Sequence, residues 1–243
     1  MVLSPLTPHQ RTSLWAVSAF DEVAETYQIA LRQNLRLIPG GVEYYNENRV
    51  KLAKKLTESV GRVRKILDFG GGIGLATPHL QRHFAEAQIF IYDPSSESVI
   101  HAVTEHPSLI PLTLDELSNH KYDLIFIAGV LHHVDPALRK SILEMLRDLL
   151  STEGVLSIFE LNPLNPVTQL LVSSCPFDED ANLISKRNLE ELLNGIDGLD
   201  IFAGGYTVFL PPILKFLRAT ESLLKWFPMG AQYYIGARSI LAS

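Results

Sequence analysis

Apolar positions in the first part of the chain recur every three or four residues. From His9 to Leu37, the residues Leu14, Val17, Phe20, Ala24, Tyr27, Leu31 and Leu35 fall on one helical stripe, and Pro39-Gly40-Gly41 stops it. A second helix is predicted over Tyr44–Val60, with Val50, Leu52, Leu56 and Val60 near one face and Gly61 at its end. From Val63 the texture changes to short apolar runs alternating with helical stretches. Strands are predicted at Val63–Phe69, Ala87–Tyr92, Leu109–Leu114, Tyr122–Ala128 and Val155–Phe159, and helices at Gly74–Phe84, Ser95–Glu105 and Pro136–Leu150. That rhythm predicts an α/β fold: a mainly parallel sheet with helices on both faces. Tyr122–Val130 is apolar almost throughout, as a strand buried on both sides would be. The last third is less regular. Asn162-Pro163 and Asn165-Pro166 mark a turn, Thr168–Val172 reads as a short helix, and Lys186–Leu193 as a helix capped by Ser185. Leu199–Phe209 and Ala231–Ile240 read as strands, and Pro211-Pro212 introduces an amphipathic helix running through Trp226.

Composition narrows the class. With 243 residues, 47% of them hydrophobic and 20% charged, the chain can bury one core without metal or disulfide staples. No repeat or linker interrupts it. The expectation is a single domain: a helical cap over 1–61, a ligand-binding core over 62–162, and a substrate-side part over 163–243. Lys+Arg 21 against Asp+Glu 27 leaves a net charge of −6 with no dense basic block, which argues against nucleic acid as a partner. The lone Cys175 can form no internal disulfide and favours a reducing compartment, so the cytoplasm is the expected location. No apolar run approaches the ~20 residues of a membrane span. Neither an H-x-E nor a CxxC pattern occurs, so no metal is expected.

The densest chemical signal is ILDFGGGIGLATPHL, Ile66 to Leu80: an apolar strand, then Gly70, Gly72 and Gly74 in the pattern G-x-G-x-G, then a helix. Glycines there permit a tight turn and let a ligand lie against bare backbone at a helix start. A dinucleotide fingerprint would need Gly or Ala at position 75 or 77, where Leu75 and Thr77 stand, and no Lys-Ser or Lys-Thr follows to make an ATP-type loop. Asp93, at the end of the next strand, is placed to accept hydrogen bonds from the two hydroxyls of a ribose. A nucleoside is the ligand these residues suit.

On these residues the chain resembles the class I S-adenosylmethionine-dependent methyltransferases, over about Val63 to Leu161. The resemblance implies a Rossmann-like fold with a seven-stranded, mostly parallel sheet, here with an N-terminal helical cap and a late helical insertion. It also implies S-adenosyl-L-methionine as cofactor. Asp68 would hold the methionine end, Gly70, Gly72 and Gly74 would pack against the donor, and Asp93 would bind the ribose. Leu114 and Asp115 stand where the family contacts adenine, and Ala128 closes the fourth strand beside the donor. A nicotinamide-dependent oxidoreductase and a non-catalytic protein retaining the fold are the competing classes.

Ligands of open parallel sheets bind beyond the carboxyl ends of the strands. Leu131-His132-His133-Val134 after the fourth strand and Glu160 at the end of the fifth belong there. Histidine suits proton removal near neutral pH, so His132 or His133 is the candidate base for a hydroxyl acceptor; for a neutral amine or a stabilised carbanion, Glu160 or the backbone would merely orient the acceptor. Replacement by Asn/Asp-Pro-Pro-aromatic would mark base- or glutamine-methylating relatives; this chain lacks it. The expected acceptor is an oxygen or nitrogen of a small organic molecule: a saccharide, a secondary metabolite or a lipid-linked intermediate. Trp15, Phe20, Tyr27, Tyr44-Tyr45, Phe216, Trp226 and Phe227 could together roof the pocket. Lys215, Arg218 and Lys225 beside the last three would suit peripheral contact with a membrane surface.

Overall fold

The computed structural model describes residues 41–58, 61–174, 181–210, 216, 220–221 and 223–240. The expected helix over His9–Leu37 with Trp15, Phe20 and Tyr27, as well as Cys175, Pro211-Pro212, Lys215 and Arg218, lies outside the described residues.

The described chain opens with α1 (Gly41–Leu56) and then alternates through β1 (Lys65–Phe69), α2 (Thr77–His83), β2 (Gln88–Tyr92), α3 (Ser96–Glu105), β3 (Ile110–Pro111) and β4 (Tyr122–Ala128). It continues with α4 (Arg139–Leu149), β5 (Leu150–Leu161), α5 (Pro166–Ser174), α6 (Lys186–Asn194), β6 (Leu199–Thr207) and β7 (Gln232–Ser239). The seven strands form one sheet in the order β3-β2-β1-β4-β5-β7-β6. β1 pairs in parallel with β2 and β4, β2 with β3, and β4 with β5, whereas β7 runs antiparallel to both β5 and β6. Strand order therefore reverses between β1 and β4, which opens a crevice at their carboxyl ends.

Side-chain alternation along the strands builds two cores, one on each face. Leu67, Ile125, Ile127, Leu156, Ile158 and Tyr233 pack with α4 and α6. Ile66, Leu124, Phe126, Val155 and Phe159 pack with Val50, Ala53 and Leu56 of α1, Leu80 of α2 and Ala102 of α3. Leu124, Ile125, Phe126 and Ile127 are all 0% exposed. Each such burial stabilises by about 1.5–3 kcal/mol relative to exposure, an upper figure given a partly compact unfolded chain. Strand β4 is thus the rigid floor on which the loop after it is held.

Several boundaries differ from the sequence expectation for local reasons. The expected strand Leu109–Leu114 shrinks to Ile110–Pro111 at the sheet edge: the Leu112 N–H still donates to the Ile91 carbonyl at 2.9 Å, and the chain then turns toward the 3-10 helix Glu116–Asn119. Helix α2 starts at Thr77 rather than Gly74, since Gly72 and Gly74 have φ of 52° and 78° and cannot belong to a helix. Helix α4 starts at Arg139 rather than Pro136, and β5 extends on both sides of Val155–Phe159, its first residue pairing with Tyr122. Ser185 caps α6 as expected, its side chain accepting from the Asn188 N–H at 3.2 Å. Among the described residues, no helix is long and apolar enough to cross a membrane. Of the expected late helix, Phe216, Thr220, Glu221 and Leu223–Trp226 are described; Phe216, Leu223 and Trp226 stand exposed.

Candidate active site

The crevice holds about 240 Å³ and is lined by residues of α1, the loop after β1, the end of β2, the loop after β4 and Leu161 of β5. The loop Gly70–Gly74 is possible only with glycine at its key points. Gly70 has φ of 71°, and a Cβ there would meet Val130 Cγ2 at 2.5 Å; a Cβ on Gly71 would meet Ile91 at 2.8 Å and the Asp68 carboxyl carbon at 3.0 Å. The glycines therefore leave a cradle of bare backbone beside Asp68. The loop is tied to β2 by Gly70 and Gly71 N–H groups donating to the Tyr92 carbonyl. The Asp93 carboxylate fastens it further, accepting from Gly72 N–H at 2.8 Å and from Ser95 N–H at 2.9 Å. Asp93 borders the crevice, and a carboxylate with four acceptor positions can take more than these two bonds.

Asp68 ends inside the crevice wall, 3% exposed, and its Oδ2 has no hydrogen-bond partner among the described residues. Burial, reinforced by the neighbouring charge of Asp93 and opposed by Arg49, pushes its carboxyl up to about 7. A buried, unmatched carboxylate oxygen beside a glycine cradle fits the α-ammonium of an amino acid.

On the far side of the crevice, β5 supplies Glu160, 1% exposed. One of its oxygens accepts from the N–H groups of Val130 and Leu131 at 2.9 and 2.7 Å; the other lies 2.6 Å from His132 Nδ1. Burial raises the Glu160 carboxyl, but His132 and the two N–H groups outweigh it, and the net shift is downward. The ionised carboxylate fixes the N–H on Nδ1 of His132 and leaves Nε2 as the ring nitrogen with the lone pair. His132 is further held by its own carbonyl, which accepts from Asn182 N–H at 2.8 Å. The His133 ring lies 4.1 Å from that of His132, and burial, with His132 acting in the same direction, takes it down to about 3, so it is neutral at physiological pH.

The expected residues thus separate into those that line the crevice and those that do not. Asp68, Gly70, Gly72, Asp93, Ala128, His132 and His133 line one crevice. Gly74 does not: a Cβ there would press on Ala102 of α3 and Thr77 at 3.1 Å, so its bareness serves helix packing rather than a ligand. Glu160 sits beneath His132 rather than facing an acceptor. Leu114 and Asp115 are also absent from the crevice wall. After Pro111 the chain turns at once into a short 3-10 helix, Glu116–Asn119, pinned by Glu116 accepting from Thr113; Leu114 packs on the core and Asp115 is exposed. Arg49 and Asn46 of α1 line the crevice without any sequence motif to announce them.

Residues 67–156 match the family model described as a methyltransferase domain. No curated protein matches the chain. Among solved structures, the plantazolicin methyltransferase BamL, in complex with a triazolic desmethylPZN analog and SAH, is 13% identical, with 96% of this chain and 97% of that one covered at a TM-score of 0.65. A possible histamine N-methyltransferase from Thermotoga maritima is 16% identical, covering 94% of this chain and 100% of its own at 0.63. A SAM-dependent methyltransferase from Archaeoglobus fulgidus is 14% identical, covering 88% and 100% at 0.60. At such identities the structural likeness speaks for the fold. Taken with the methyltransferase-domain match over 67–156, it shows that this chain has the class I methyltransferase fold.

Proposed function

We propose that the protein transfers the methyl group of S-adenosylmethionine to a small organic acceptor at oxygen or nitrogen, with a hydroxyl oxygen favoured. The observation that carries this reading is the buried pair of His132 Nδ1 and Glu160 Oε2, 2.6 Å apart on the wall of the crevice that also holds the unmatched Asp68 oxygen. A neutral amine attacks with its own lone pair and can lose its proton afterwards, whereas a hydroxyl near neutral pH is a poor nucleophile until its proton is removed. An oriented imidazole is therefore most useful to an O–H acceptor.

The donor supplies an electrophilic methyl on a sulfonium, already activated by its leaving group. Asp68 would hold the ammonium of its amino-acid end, Gly70 and Gly72 would let it lie against the backbone, and Asp93 would accept from its ribose hydroxyls. His132 Nε2 takes the acceptor proton while Glu160 holds Nδ1–H and stabilises the imidazolium. Neutral His133 and Val130 border the same space and exclude water. The balance is simple: the acceptor would lose H⁺ to His132 and gain the methyl as its bond to the sulfonium sulfur breaks, S-adenosylhomocysteine would leave as the neutral thioether, and the imidazolium would return the proton to solvent.

The test is incubation of the protein with methyl-labelled S-adenosylmethionine and a fractionated metabolite extract, read by mass spectrometry. The reading expects a labelled product whose formation His132→Ala slows in single turnover. Labelled product formed at equal rates by wild type and variant would remove His132 from the chemistry, and absence of both product and S-adenosylhomocysteine binding would remove the transfer itself.

A further inference from the structure

Arg139, the first residue of α4, is 5% exposed and does not line the crevice. Its Nε–H donates to the Val134 carbonyl at 3.2 Å, and its Nη2 donates to the Asn182 carbonyl. The Asn182 N–H in turn donates to the His132 carbonyl at 2.8 Å. These bonds close a circuit. The turn Leu131–Val134 hangs on the guanidinium at one end, and the stretch of chain that grips His132 hangs on it at the other. That stretch is fixed from a second side, because the Tyr233 hydroxyl of β7 donates to the Ile184 carbonyl at 2.8 Å.

Charge adds a second observation. Both of these Arg139 bonds go to carbonyls, and a buried cation needs an anion within reach. Burial weighs against its charge, and among the groups that favour it Glu160 comes first, ahead of Tyr233 and Asp135. Glu160 and Tyr233 are cross-strand partners of β5 and β7, so their side chains leave the same face of the sheet, the one on which α4 packs. The guanidinium that braces the histidine turn therefore also supplies positive charge near the carboxylate that holds Nδ1 of His132.

We infer that Arg139 is a positioning residue for proton removal in the crevice: it acts through His132, bracing the turn Leu131–Val134 against the chain at Asn182 and holding Glu160 as the anion that fixes the imidazole. The inference rests on the reading of His132 as the proton acceptor and deepens it. A base gains from being kept in one tautomer and one orientation, since a ring free to turn presents Nε2 only part of the time. Arginine suits the task because its planar fork reaches two carbonyls at once, whereas a lysine ammonium is a point charge on a flexible stem.

Nitrogen-15 NMR of the full, unliganded chain reads the imidazole directly, with His132→Ala to assign its signals. The proteins are wild type, Arg139→Met, which removes both charge and brace, and Arg139→Lys, which keeps the charge and serves one carbonyl. Arg147→Met is the control: it removes an arginine from the last turn of α4, bound there to Asp148 and the Asp197 carbonyl, and leaves the circuit intact. The other groups around the pair are His133, Asp135, Tyr233 and, across the crevice, Asp68 and Arg49, and every variant keeps them. Wild type should show His132 as the Nδ1–H tautomer. Arg139→Met should show mixed tautomers and raise the pH midpoint of His132 by about half a unit or more, because a positive charge that opposed the imidazolium is gone. Arg139→Lys should keep the midpoint within about 0.2 unit of wild type yet show mixed tautomers, and Arg147→Met should match wild type in both. An Arg139→Met protein that melts earlier but keeps the tautomer and midpoint of His132 would make Arg139 a structural tie only and overturn the inference. Should Arg139→Met fail to fold, the tautomer in Arg139→Lys decides in the same way. Failure of wild type to bind S-adenosylhomocysteine in calorimetry is a separate result: it would overturn the donor reading and leave the brace no transfer to serve, whatever the imidazole shows.

Discussion

Binding of S-adenosylhomocysteine is expected to weaken about eightfold as pH falls from 7.5 to 6, with Asp68 responsible. Its carboxyl is raised to about 7 in the protein, chiefly by burial and next by Asp93, with Arg49 pulling the other way. Only the ionised form offers an anion to an α-ammonium. Roughly three-quarters of the molecules carry it at pH 7.5 and roughly one in eleven at pH 6, a ratio worth about 1.3 kcal/mol at 1.36 kcal/mol per tenfold. The ligand's ammonium stays charged over most of that range, an α-amino group's ordinary value being about 8. Binding should then release a proton on the acid side of 7, seen in calorimetry as an enthalpy that depends on the buffer's own protonation heat. Asp68→Asn should bind more weakly at pH 7.5 and with a flat profile. A wild-type affinity constant within twofold across the range, with no buffer dependence, would refute the argument. For stability the sign is reversed. The native carboxyl holds its proton more tightly than the unfolded chain does, so its contribution is lost as pH rises from about 4 to about 7, by at most on the order of 4 kcal/mol. Asp68→Asn should flatten that decline in urea titrations of the unliganded protein.

Three further outcomes follow from geometry already described. His132→Ala should slow single-turnover transfer by roughly 10²–10⁴, the usual worth of a positioned base, while S-adenosylhomocysteine affinity measured by calorimetry changes little. Gly70→Ala should destabilise by about 1–3 kcal/mol and weaken nucleoside binding, since its Cβ would stand 2.5 Å from Val130 Cγ2 at a φ of 71°; thermal unfolding with and without ligand reads both effects. Ser185→Ala removes the cap of α6 and should cost about 1 kcal/mol in denaturant unfolding, with transfer unchanged.

The parallel core was legible because its strands are short apolar runs separated by helical spacing, and β4 in particular could hardly be read otherwise. The glycine loop, Asp68, Asp93 and the two histidines could be placed because they follow strands directly, where an open sheet binds its ligands. Roles were harder to read than places. Glu160 looked like an acceptor contact because it ends a strand, but burial at 1% and two backbone N–H groups make it the support of His132. Leu114 and Asp115 stand away from the crevice wall because β3 pairs over two residues only before the chain turns toward the 3-10 helix Glu116–Asn119, and Gly74 because α3 and Thr77 crowd the place a side chain would take. Arg49 and Arg139 had no local signal at all. Arg139 and Asn182 are 43 positions apart, and only the packing of α4 and α6 on one face of the sheet brings them together.

That long-range hydrogen bond has a bearing on biosynthesis. A ribosome that has released residues up to Leu161 has made the glycine loop, both histidines, Arg139 and Glu160, but Asn182 has still to emerge, and so has β7, which slides in between β5 and β6. Until they do, His132 lacks its brace, so a nascent or prematurely terminated chain would own most of the chemistry yet hold its imidazole loosely. A firmly held ring would then serve as a marker that translation ran past the final hairpin.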